Sequence, residues 1–81
     1  VKIWIPALKV GTGADVYFAD LAGALSRCGV PAALSLYPPR LEFCPWLLAC
    51  VVTEPGADII HASCDYAFPF AGRGVPLVVT L

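Results

Sequence analysis

Two short stretches carry residue types that can act on a bound ligand. The first is Gly11-Thr12-Gly13, set between an apolar run and a helical pattern. Glycines at a strand-to-helix turn let the backbone approach a ligand closely, and the helix start offers free N–H groups to an anion. As a dinucleotide fingerprint the loop is incomplete. G-x-G-x-x-G needs glycine where Val16 stands, and no acid follows at the end of the next strand. Arg40 can stand in for that acid by meeting a 2′-phosphate, although Glu42 lies close by. A turn that holds no ligand is the equal alternative on the loop alone. The second stretch is His61, with Ser63 and Asp65 just beyond it. Imidazole there can hydrogen-bond a hydroxyl or phosphate, or act as a base, while a lone histidine at a strand end more often serves structure. Ser63 and His61 do not make a hydrolase pair, because no G-x-S-x-G elbow surrounds Ser63. Tyr66 and Arg40 are further candidates for a cleft wall; Trp4, Trp46 and Tyr17 are read as core.

Other chemistries are excluded by what the chain lacks. Its four cysteines, Cys28, Cys44, Cys50 and Cys64, form no C-x-x-C, and His61 is not spaced as a zinc partner, so no metal is expected. The cysteines are read as reduced, buried small hydrophobes. Lys2, Lys9, Arg27, Arg40 and Arg73 are scattered, too sparse a set to grip a nucleic-acid backbone. The uncharged run from Phe43 to Thr53 falls well short of the roughly 20 residues that a bilayer needs. The apolar start at Ile3 lacks a basic n-region and a small-residue cleavage site, so no signal peptide is expected. A cytoplasmic protein is expected, peripheral to the inner membrane face at most.

The elements that must position these residues follow from hydrophobic patterning. The chain is 59% hydrophobic and 14% charged, against about 45–50% and about 25% in ordinary domains. A parallel sheet covered on both faces explains the excess, because its central strands are apolar on both sides. Lys2 to Leu8 reads as a buried strand. A helix follows from Ala14 to Cys28, with Phe18, Leu21, Ala22 and Leu25 on one face, Asp15 in the first turn, Arg27 in the last and Gly29 as the stop. Pro31 to Tyr37 is a second strand, ended by Pro38-Pro39. Leu41 to Val52 reads as a second helix with Phe43, Leu47, Cys50 and Val51 on its apolar side, provided Pro45 falls in the first turn. Ala57 to His61 is a third strand, Asp65 caps a short helix to Ala71, and Val75 to Leu81 is a fourth strand. The order β-α-β-α-β-α-β implies an α/β fold: an open parallel sheet of about four strands with helices on both faces. In such sheets ligands bind beyond the carboxyl ends of the strands, where both chemical stretches fall.

Taken in order, several stretches resemble the N-terminal half-domain of family 4 (group 1) glycosyltransferases of the GT-B fold. Lys2 to Pro6, followed by Gly11 to Phe18, is similar to that family's opening strand and glycine loop. Phe18 to Leu25 continues its first helix, and Arg27-Cys28-Gly29-Val30 is similar to the helix exit. Gly56 to Ser63 resembles its "D-I/V-I-H-A-(H/N)" strand, and Arg73 to Thr80 its "G-I-P-L-V-V-T" strand. The resemblance implies a Rossmann-like, acceptor-side part spanning residues 1–81 and truncated at its C-terminus. The parent enzyme would transfer a sugar, with retention, from a nucleotide-sugar donor to a small-molecule or glycolipid acceptor. It also implies that Gly11 and Gly13 approach the donor phosphate or acceptor and that His61 takes the family's histidine position. Ser63 stands where the family has a second histidine. No cofactor is implied beyond the donor substrate. The donor-binding domain is the missing partner, and without it the chain would be inactive.

Two other readings stay open. One is an NADP- or nucleotide-binding Rossmann-type module with Arg40 on the phosphate. The other is a non-catalytic interaction domain that uses exposed apolar surface. The open edge at the last strand also invites self-association.

Overall fold

A computed structural model of the chain describes residues 1–9, 11 and 13–80, and only the backbone of Ala14. Four strands form one parallel sheet: β1 (Ile3–Leu8), β2 (Ala32–Tyr37), β3 (Ile59–Ser63) and β4 (Leu77–Thr80), in the order β2-β1-β3-β4. This is the expected α/β architecture, a partial Rossmann-like sheet with helices on both faces. The chain leaves β1 toward one edge to build β2, then returns past β1 to build β3 and β4. The switch point therefore lies between β1 and β3.

Helix α1 (Gly13–Arg27) covers one face. Phe18 packs with Ile5 and Ala7, and Leu21, Ala22 and Leu25 flank them, as the helical spacing predicts. Its end is a Schellman motif. Val30 N–H reaches Leu25 C=O at 2.9 Å and Gly29 N–H reaches Ser26 C=O at 3.1 Å. Gly29 has φ 81°, a conformation that side-chain-bearing residues seldom adopt.

The larger core lies on the opposite face. Trp4, Leu8, Leu48, Ile60, Ala62, Tyr66, Ala67 and Phe70 are buried together there. The expected second helix is broken in two. A 3-10 turn (Pro39–Phe43) precedes a short helix, α2 (Pro45–Ala49), with Cys44 between them. Pro45 occupies the start of α2, where its missing N–H costs nothing. The break changes the helical phase, so Leu48 is the residue that inserts, while Phe43 and Leu47 are exposed. Past β3 the expected helix from Asp65 shrinks to a 3-10 turn (Phe68–Phe70) with Ala67, not Asp65, at its cap position. Trp46 is 64% and Tyr17 45% exposed, so of the three aromatics read as core only Trp4 is buried. All four cysteines are free, and Cys28, Cys50 and Cys64 are exposed instead of packed.

Arg73 joins these short pieces. Its guanidinium donates to the C=O groups of Leu48 (3.1 Å), Ala49 (3.1 Å), Val51 and Pro69 (3.3 Å) and to Thr53 Oγ1 (3.2 Å). It also lies 4.9 Å from the Phe70 ring centroid. The last carbonyls of a helix lack partners within it; here a side chain brought from beyond Phe70 caps Ala49 C=O and adds to the bond that Leu48 C=O accepts from Val51 N–H.

Pro6 has an effect that bears on the site. Ile3 and Lys9 N–H groups point to the β2 side, onto Pro31 C=O (2.9 Å) and Tyr37 C=O (3.0 Å). By alternation the even-numbered positions of β1 face β3, and Pro6 has no N–H to give there. The β1–β2 register accordingly runs through all six pairs, from Ile3↔Ala32 to Leu8↔Tyr37. The β1–β3 register holds only Ile3↔Ile59 and Trp4↔Ile60. The two central strands thus part toward their carboxyl ends.

Candidate functional site

A cleft of about 420 Å³ opens at those carboxyl ends, on the α1 side of the sheet. Its size falls within the roughly 300–1,000 Å³ of small-molecule sites. The first turn of α1 contributes Gly13, Tyr17 and Phe18. The end of β3 and the segment after it contribute Ser63, Cys64 and Asp65, and Thr80 at the end of β4 closes the far wall.

The strand register explains the placement. Ile60 and Ala62 of β3 point into the larger core, so His61 and Ser63 face α1. Ser63 pairs with Thr80 across the β3–β4 ladder, which sets both at the same level. His61 lies in the middle of β3, not at its end, because the strand runs two residues beyond the predicted limit. Its Nε2 is 2.5 Å from Thr80 Oγ1, and its ring meets Phe18 edge-on with centroids 6.2 Å apart. Burial pushes the imidazole pKa below its ordinary value, so at neutral pH it is an uncharged hydrogen-bonding partner of Thr80. Histidine in this place holds the cleft wall from behind.

Phe18 also props Tyr17, whose ring sits edge-on at 5.1 Å with an interplanar angle of 73°. Tyr17 thereby keeps an exposed aromatic surface at the cleft. Asp65 is exposed. Its backbone N–H reaches Ser63 Oγ at 3.5 Å, and its carboxylate lies 3.8 Å from Cys64 Sγ.

The other candidates are placed as follows. Gly11 has φ 74° and donates its N–H to Asp15 Oδ2 at 2.8 Å. Gly13 has open space where a Cβ would stand. Thr12 lies outside the described residues. Tyr66 is only 8% exposed and belongs to the larger core on the opposite face, hydrogen-bonded to the Leu8 backbone. Burial raises its phenol above the ordinary value. Arg40 is exposed on the 3-10 turn after β2 and does not line the cleft. A second cavity, of about 310 Å³, lies beside that turn and is lined by Lys9, Leu36, Tyr37, Pro38 and Pro39.

Tyr17, Phe18, Cys64 and Thr80 line the cleft although sequence reading gave none of them a place in a site. The helical spacing that puts Phe18 on the sheet also puts Tyr17 at the helix flank. That phase was the signal available for it. Among the described residues no helix is long and apolar enough to cross a membrane. No group of three or more His, Cys, Asp or Glu among them is placed to hold a metal ion. No protein-family model, curated protein or solved structure matches the chain.

Proposed function

We propose that this chain is the acceptor-side part of a nucleotide-sugar-dependent glycosyltransferase, inactive until a donor-binding domain faces its cleft. One observation carries the reading. The three stretches that resemble the glycosyltransferase family, Gly11 to Phe18, Gly56 to Ser63 and Arg73 to Thr80, are distant in sequence yet each supplies part of one cleft. That cleft lies at the switch point of a parallel sheet, where ligands of this architecture bind. The acceptor is a small molecule or the headgroup of a glycolipid, met in the cytoplasm or at the inner membrane face. Gly13 and the hydroxyls of Ser63 and Thr80 contact it, and His61 positions Thr80.

The NADP-binding alternative needs a cation at the dinucleotide crevice, and Arg40 stands away from it. An interaction domain is favoured by a different observation: Phe43, Trp46, Val52 and Phe68 are all more than half exposed. The test is to sequence the reading frame beyond the codon for Leu81 and express its whole product with labelled nucleotide sugars. An in-frame second α/β domain and transfer to an added glycoside support the proposal. A frame without such a domain, or a product that binds NADP and loses it in Arg40→Ala, overturns it.

A further inference from the structure

The cleft is built against negative charge. Asp65 is the carboxylate in its lining, and among the described residues no lysine or arginine lines it. Lys9, the nearest basic residue by strand order, lines the neighbouring cavity at the end of β2 instead. His61 behind the wall is held uncharged by burial. The glycine loop, which sequence reading offers to a phosphate, is already engaged, because Asp15 in the first turn of α1 accepts the Gly11 N–H at 2.8 Å. A carboxylate there takes the place an incoming anion would occupy and complements the positive end of the helix dipole.

What remains suits a neutral ring bearing hydroxyls. Tyr17 offers an aromatic surface propped by Phe18. Asp65 accepts hydrogen bonds strongly because it is charged, and the Ser63 and Thr80 hydroxyls can donate or accept. Apolar C–H faces pack on aromatic rings, while hydroxyls at the ring edge find these oxygens.

We infer that the cleft binds an uncharged polyhydroxylated ring, lying on Tyr17 with hydroxyls on Asp65 and Thr80, and rejects the phosphorylated form of the same sugar. This rests on reading the cleft as an acceptor site, and it names the acceptor class: a neutral sugar or glycoside whose reacting hydroxyl is not phosphorylated nearby.

The test is a backbone-amide NMR titration of the chain at low salt. The probes are methyl glucoside, methyl galactoside and methyl mannoside, then glucose 6-phosphate, inorganic phosphate and NADP. The expected result is shifts at Gly13, Tyr17, Asp65 and Thr80 with at least one neutral glycoside, and binding of glucose 6-phosphate weaker by about tenfold or more. Asp65→Asn should weaken the glycoside severalfold, and Asp65→Lys should reverse the preference in favour of the phosphorylated sugar. Tyr17→Ala should weaken the glycosides. The amide spectrum of each variant shows independently that it is folded. If the phosphorylated sugar binds the unaltered cleft more tightly than the glycosides do, the inference falls while the acceptor-site reading stands. If no sugar shifts these amides, or if only NADP does, both fall.

Discussion

The two faces of the sheet are covered in opposite ways. On one, a single regular helix of 15 residues leaves a small cluster around Phe18 and an open cleft at the strand ends. On the other, short helical pieces of three to five residues enclose most of the buried side chains, and Arg73 ties them together. Regular structure and burial are therefore separated. The irregular face holds the sheet together, which leaves polar His61, Ser63 and Thr80 tolerable on the regular one. A polar group on a fully covered face would need a partner for every atom. At the rim of α1 it can meet water or a ligand.

If the irregular face carries the stability, its clamp should be among the most costly residues to remove. Arg73→Met is expected to destabilise by about 2–4 kcal/mol, since hydrogen bonds from a charged donor to several helix-end carbonyls are lost together. Small domains have only about 5 kcal/mol or somewhat more in reserve. Arg73→Lys should rescue little, because one ammonium cannot span the same acceptors. Urea melts measure it, and a loss under about 1 kcal/mol would remove Arg73 from its central place.

A matched pair of truncations compares the faces directly. Leu48→Ala, at a position 1% exposed in the larger core, should cost about 2–5 kcal/mol. Leu21→Ala, half-buried on α1, should cost about 1 kcal/mol. Equal losses would mean that the faces share the stability evenly.

The same contrast decides what was legible in the sequence. α1 declared itself through the spacing of Phe18, Leu21, Ala22 and Leu25 and through Gly29, and its observed bounds differ from the predicted ones by one residue at each end. The parallel sheet followed from alternating elements with apolar strands, although the order β2-β1-β3-β4 within it did not. The irregular face was misread as two regular helices, because local periodicity cannot report that Pro45 restarts the helix and shifts its phase to Leu48. Nor can it report that Arg73 reaches back to cap α2. The site was half legible: Gly13 and Ser63 do line the cleft, and His61 stands just behind it. Tyr66 was misplaced because its face depends on where β3 ends, and that strand runs on to Ser63. Pairing His61 with Thr80 needed the β3–β4 register, which no local pattern contains.

On the cleft side the effects should be smaller. Gly11→Ala forces a side chain into φ 74° and is expected to cost about 1–2 kcal/mol, with thermal or urea unfolding as the measure. A result near zero would show that the loop relaxes without strain.

His61 gives the cleft face a pH dependence on the acid side of neutrality. Its pKa is lowered in the fold by burial, so below about pH 6.5 the unfolded chain binds the proton more readily. The stability it contributes is present above the unfolded value and is lost as pH falls toward the folded one. Histidine titration by NMR should show the low midpoint, and His61→Gln should flatten that part of the stability profile. A midpoint at or above the ordinary value would mean that the ring is open to water, and the wall behind Thr80 with it.

The smallest effect on stability should be the most informative about function. Gly13 is the first residue of α1, has no positive φ, and a Cβ built on it meets no atom within 4 Å. Nothing in the fold therefore requires glycine there. Alanine should leave stability unchanged or raise it by up to about 0.5 kcal/mol, since alanine is the better helix former. Because Gly13 lines the cleft, the same methyl group would stand in space that a ligand uses. Gly13→Ala should weaken glycoside binding severalfold while the unfolding midpoint stays put or rises. Unchanged binding would move the ligand away from α1 toward Asp65 and Thr80. A fall in both would mean that the helix start bends around the new methyl, and that the open space beside Gly13 belongs to the fold instead of the ligand.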